Sequence, residues 1–92
     1  MKYPFLVEHY LNNIGYEWLN IKNNNLNAII VFKMNVVLFP QSSNVYDSLG
    51  EAYLKDEQYN LALVNYTRSV EMDEKNAEGK QRIKVLKKLL EK

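Results

Sequence analysis

Five apolar positions of this chain recur at one fixed offset. Ala28, Ile29, Phe32, Val36 and Leu38 reappear 34 residues later as Ala62, Leu63, Tyr66, Val70 and Met72. A matched series at a single spacing is an internal repeat, and a period of this size belongs to stacked supersecondary units. Within the second copy, Asn44 to Asn76, the residues Tyr46, Leu49, Gly50 and Tyr53 stand at i, i+3, i+4 and i+7. They share one helical face, and Ala62, Tyr66, Ser69 and Val70 do the same further on. Gly50 and Ala62 are small where large apolar side chains are expected. Small residues let two helix backbones come close, so the unit reads as two antiparallel helices joined across the polar break that holds Glu57.

The rest of the chain extends this pattern. Pro4 suits the first turn of a helix carrying Phe5, Leu6, Val7, Tyr10, Leu11, Ile14, Trp18 and Leu19. That helix is apolar over more than one stripe and needs cover on more than one side. The run Lys22 to Asn25 predicts a turn, because Asn tolerates left-handed backbone. A second helix over Leu26 to Phe39 stops at Pro40, and Gln41-Ser42-Ser43 offers a Ser hydroxyl to cap the helix of Tyr46. Ile14-Gly15 aligns with Leu49-Gly50 only if the first hairpin holds one extra residue, which is expected in the Asn-rich turn. From about Ala77 to Leu90 a fifth helix sets Ile83, Leu86, Leu89 and Leu90 against Lys80, Lys84, Lys87, Lys88 and Glu91. One apolar and one charged face is the pattern of a cap on a repeat stack.

The series Tyr46, Leu49-Gly50, Tyr53, Ala62, Tyr66, Ser69 resembles the tetratricopeptide repeat, a helix-turn-helix unit of the same 34-residue length. The resemblance implies an all-α, right-handed superhelical stack of about five helices in a single domain over 1–92, with repeat 1 at about 9–42, repeat 2 at about 43–76 and the cap at about 77–91. Ala28 and Phe32 are then the first repeat's packing residues. Two positions depart from the family pattern: Glu74 replaces the usual Pro, and Glu57 replaces the usual Gly of the inter-helix turn. A left-handed backbone at Glu57 would cost about 1 kcal/mol. The family lines a concave groove with its leading helices. Carried over, the groove positions are Asn44, Asp47, Glu51, Leu54 and Lys55, and Glu78, Gln81 and Val85 on the cap. The first repeat, aligned without a gap, supplies Tyr10, Asn13, Glu17, Asn20 and Ile21. This face leans acidic. The resemblance therefore implies a non-catalytic interaction module that prefers a basic or neutral protein segment over the acidic chaperone tails that some members grip. The run Asn44 to Tyr53 is also similar to repeats that end bacterial serine hydrolases of the esterase and β-lactamase-like kinds, which implies a non-catalytic appendage as the alternative.

Chemistry of other kinds lacks its residues. There is no cysteine, one histidine, and no His-Glu-x-x-His, Gly-rich phosphate loop, Gly-x-Ser-x-Gly or Ser-x-x-Lys motif. No catalytic residue, metal ligand or cofactor is expected. Most tyrosines fall on repeat-packing positions rather than on a base-stacking platform. The net charge of +1 hides a split: residues 1–74 hold five basic and nine acidic groups, and 75–92 hold seven basic and two acidic. Lysine near a helix C-terminus also suits the helix dipole, so nucleic acid is not an expected partner. The longest apolar stretch, Ala28 to Phe39, is too short for a membrane span and contains Lys33 and Asn35. No signal peptide is expected, and neither is a membrane partner. Two hairpins and a cap fall short of the three or so repeats usual for an independent stack. The apolar N-terminal helix is accordingly expected to find cover, by self-association or from a neighbour.

Overall fold

Proline fixes its own φ and lacks an N–H that a first helical turn would leave unpaired, so Pro4 opens a helix as its position predicts. In the computed structural model, which describes residues 2 to 91, helix α1 spans Pro4–Tyr16 and runs on through a π-helical turn, Glu17–Ile21. Four more helices follow: α2 Asn25–Leu38, α3 Ser43–Lys55, α4 Tyr59–Met72 and α5 Ala77–Leu90. The described chain is all-α. Helix α1 pairs with α2 and α3 with α4, while α2 packs on α3 and α4 on α5, so two hairpins and a closing helix stack in chain order.

Each hairpin closes on an aromatic ring. A β-carbon added at Gly50 would lie 3.0 Å from Cδ2 of Tyr66, and one added at Gly15 would overlap the ring of Phe32. Phe32 and Tyr66 are 34 residues apart, but Gly15 and Gly50 are 35 apart. The first hairpin thus holds one residue more between its glycine and its ring. The π-helical turn houses that residue: the Lys22 amide donates to the Glu17 carbonyl, an i to i+5 bond of 3.0 Å in place of i to i+4. The expectation that the Asn-rich turn would absorb it is corrected here. The two turns match one another, with Asn23 and Glu57, 34 residues apart, at positive φ of 51° and 61°. Glu57 does adopt the left-handed backbone that its place in the repeat demands. Around it the Gln58 amide donates to the Tyr53 carbonyl at 2.9 Å, and around Asn23 the Asn24 amide donates to Trp18 at 2.8 Å, reaching one residue further back. The Lys22 ammonium lies 4.4 Å over the Trp18 ring and closes the widened turn.

Leu49, Tyr53, Ala62, Tyr66, Ala28 and Phe32 are all buried in one core with Leu19, Ile29, Ala52 and Leu86. Tyr46, expected among them, is only half-buried. Its hydroxyl donates to the Pro40 carbonyl at 2.9 Å and the Arg68 guanidinium sits 5.8 Å from its ring centre, so it pins the linker between hairpins. Two buried polar groups repeat as well: Asn35 Nδ2 donates to the Glu8 carbonyl at 3.0 Å, and Ser69 Oγ to the Ser43 carbonyl at 2.9 Å. Each ties the end of a trailing helix to the first turn of its leading helix. Ser42 occupies the N-cap of α3 but makes no cap bond; its hydroxyl donates to Glu8 Oε2 at 2.8 Å. A carboxylate takes the hydroxyl because a charge-assisted bond is stronger than one to an amide. The true side-chain caps are Asn24 on α2 and Asn76 on α5.

The two glycines should respond differently to Ala. Gly15→Ala drives a methyl into the Phe32 ring and is expected to lower stability by about 1 to 3 kcal/mol. Gly50→Ala meets a tight but shallower contact and recovers part of the ~1 kcal/mol by which Ala exceeds Gly in a helix. A shift in urea midpoint that is clearly larger for Gly15→Ala is the expected result.

Candidate functional site

The leading helices α1 and α3 lie on one side of the stack, and polar side chains run across the seam between them. The register set by the two glycines puts Asn12 level with Asp47 and Tyr16 level with Glu51. Ser48 Oγ donates to Asn12 Oδ1 at 2.6 Å, and the Tyr16 hydroxyl donates to Glu51 Oε1 at 3.2 Å. Further along, Lys55 Nζ donates to the Leu19 carbonyl at 3.0 Å and to Asn20 Oδ1 at 3.3 Å. The wide turn frees that carbonyl, since a π-helical segment leaves part of the usual ladder unpaired.

The third contributor is the start of α5. Asn76 reaches Asp47 Oδ1 at 3.2 Å and Ser69 Oγ at 3.1 Å through Nδ2, while its Oδ1 accepts the Gly79 amide at 2.9 Å. One amide thus caps α5 and steadies a carboxylate on α3. Glu78 and Arg82, one turn apart on α5, form an ion pair of 3.7 Å, and the Arg82 Nε is buried without a partner among the described residues. Asp47 and Glu51 also stand one turn apart, both half-buried.

Burial governs the electrostatics of this face. The Asp47 carboxyl is pushed above its ordinary range, mainly because it is partly out of water and also because Glu78 is near; Asn76 and Arg82 oppose the shift. The Tyr16 and Tyr66 hydroxyls are raised far above the usual phenol range, first by burial, with the carboxylates of Glu51 and Asp47 adding to it. Both phenols stay neutral hydrogen-bonding groups at physiological pH.

The residues expected for the groove divide. Asp47 and Glu51 sit at the centre of this polar face, Lys55 is committed to α1, and Asn44 is exposed beside them. Asn13 and Glu17 are exposed elsewhere. Their counterparts in the 35-residue register are Ser48 and Ala52, which are buried on the side of α3 that receives the preceding hairpin. The contribution of α1 therefore comes from Asn12 and Tyr16, each one position before the residue that a gapless alignment selects. Arg82 and Asn76 were missed as well. The signal for Asn12 and Tyr16 was present in the alignment of Gly15 with Gly50, whereas nothing in the spacing marked Arg82.

Acceptors dominate this arrangement, with amide groups beside them that suit a polypeptide backbone. Among the described residues no three His, Asp or Glu side chains converge as a metal site would require. Compared with known proteins, the chain matches no family model and no curated protein sequence.

A partly desolvated carboxylate is a stability liability, and its sign is testable. Asp47 has a raised carboxyl in the folded protein, so the fold binds more protons than the unfolded chain as pH falls, and stability rises on this account. Asp47→Asn keeps an acceptor for Asn76 and removes the charge. It is expected to melt at a higher temperature than the parent at neutral pH, with the margin closing below the ordinary aspartate range, where both forms are neutral.

Proposed function

We propose that this chain is a non-catalytic interaction module of the tetratricopeptide-repeat kind, which holds an extended basic or neutral segment of a partner protein along the face of α1, α3 and α5. The observation that carries the reading is Asp47. Its charge is disfavoured by burial, yet it is steadied on the shared face by Asn76 and stands one turn from Glu51. A residue kept against the interest of stability is the mark of a site that meets its counter-charge on binding. A Lys or Arg of the partner supplies that counter-charge. The amides of Asn12 and Asn76 and the neutral phenol of Tyr16 suit the partner's backbone, where hydrogen bonds set position and side-chain pairing sets preference.

The glycine and ring positions support the family part of the proposal. Gly50 against Tyr66 and Gly15 against Phe32 are one device used twice, as a repeat of helical hairpins requires. No helix of the described residues is long and apolar enough to cross a membrane.

Three labelled peptides of equal length, lysine-rich, uncharged and glutamate-rich, test this by titration. The lysine-rich peptide is expected to bind tightest and to weaken with added salt. Asp47→Lys with Glu51→Lys should reduce its affinity at least about tenfold, or ~1.4 kcal/mol, while helicity is unchanged. Tightest binding of the glutamate-rich peptide, or indifference to the double substitution, would overturn the proposal.

A further inference from the structure

The uncovered end of the stack carries apolar surface that the repeat itself does not demand. Tyr10 corresponds in the 35-residue register to Val45, which is 1% exposed beneath the preceding hairpin, whereas Tyr10 is 65% exposed. No described element covers the side of α1 that α3 presents to α2. Met34, Val37 and Leu38 of α2 correspond to Arg68, Glu71 and Met72 of α4, so a surface that is charged in the second hairpin is apolar in the first. Val37 is the extreme case at 78% exposure.

These residues gather at one corner. Helices α1 and α2 are antiparallel, and the Asn35 bond to the Glu8 carbonyl brings the start of one to the end of the other. Tyr3, Leu6 and Tyr10 line one shallow depression there, and Met34, Val37 and Leu38 line another. Together they present on the order of 600 Å² of apolar surface, at or beyond the largest patch of an ordinary monomer. That approaches the ~800 Å² that each partner brings to a standard interface.

We infer that this corner is the interface of a homodimer in which two copies meet face to face about a two-fold axis. The opposite end of the stack argues against head-to-tail growth. Lys80, Lys84, Lys87 and Lys88 are exposed on α5, and burying them against leucine and tyrosine would strip charges of water with no counter-charge in return. Within this chain, the surface that matches the apolar corner in chemistry is the corner itself. A self-matching patch gives a closed, isologous pair rather than a filament. Asn13 and Glu17, on the same side of α1 beyond Tyr10, form the polar rim on which such an interface ends.

Sedimentation of the full chain at tens of micromolar should show a dimer, and Leu6→Glu with Val37→Glu should give a monomer of unchanged helicity. Both substituted residues are exposed, so loss of the dimer is not loss of the fold. The chain has no cysteine, which makes a single introduced thiol an unambiguous reporter. Met34→Cys is expected to form a covalent dimer under mild oxidation, and Lys87→Cys is not. A parent chain that is monomeric at these concentrations overturns the inference and leaves the corner to a different neighbour, such as an attached domain. A dimer that survives the paired Glu substitutions, or one that cross-links through Lys87→Cys, overturns it too. None of these outcomes bears on peptide binding by Asp47 and Glu51.

Discussion

Everything in this fold hangs on the contact between a glycine of each leading helix and an aromatic ring of its trailing helix. Gly15 takes the Phe32 ring and Gly50 takes the Tyr66 ring, and at neither position is there free room for a β-carbon. Dense packing makes such contacts decisive, because a ring lying flat on bare backbone leaves no slack for an alternative register. The two contacts fix how far each trailing helix slides along its leader. That in turn decides which residues of α1 and α3 lie level with one another, and so which polar groups meet across the seam.

The first hairpin shows how firm that constraint is. It has one residue too many between its glycine and its ring, and the chain yields in the helical ladder rather than in the packing. A π-helical turn weakens the local hydrogen bonding, but it leaves both the glycine contact and the left-handed turn residue Asn23 in place. The accommodation also has a polar consequence. It presents the Leu19 carbonyl to Lys55, so a basic side chain on the shared face serves the fold and is withdrawn from the face's charge.

This explains what could be read from the sequence and what could not. Helix count, hairpin pairing and nearly the whole core follow from apolar spacing and the 34-residue offset, since both depend on side chains that must be buried whatever the details. Tyr46 escaped because a face assigned by periodicity does not distinguish a core ring from one that bends back onto a linker carbonyl. Asn13 and Glu17 were selected in place of Asn12 and Tyr16 because the extra residue was assigned to the turn. A turn rich in Asn is the more permissive place for it by local preference, and tertiary packing overruled that preference. Ser42 was read as a cap by composition alone, and a carboxylate brought from 34 residues away outcompeted the backbone amide.

The chain thus divides its surfaces by chemistry as well as by geometry. The face along α1, α3 and α5 keeps partly buried carboxylates beside amides and neutral phenols, and holds them with bonds that span all three helices. The corner of α1 and α2 has no such groups and is apolar where the equivalent surface of α3 and α4 is covered or charged. A polar face with a strained carboxylate discriminates among partners by charge, whereas an apolar corner associates by area and is largely blind to charge. Since α1 contributes opposite sides to the two surfaces, occupation of one leaves the other open. A two-fold pair joined at the corner would therefore carry two polar faces, and linkage of two sites raises the effective concentration of the second once the first is filled. A small stack with one modest binding face gains avidity in this way without any new contact.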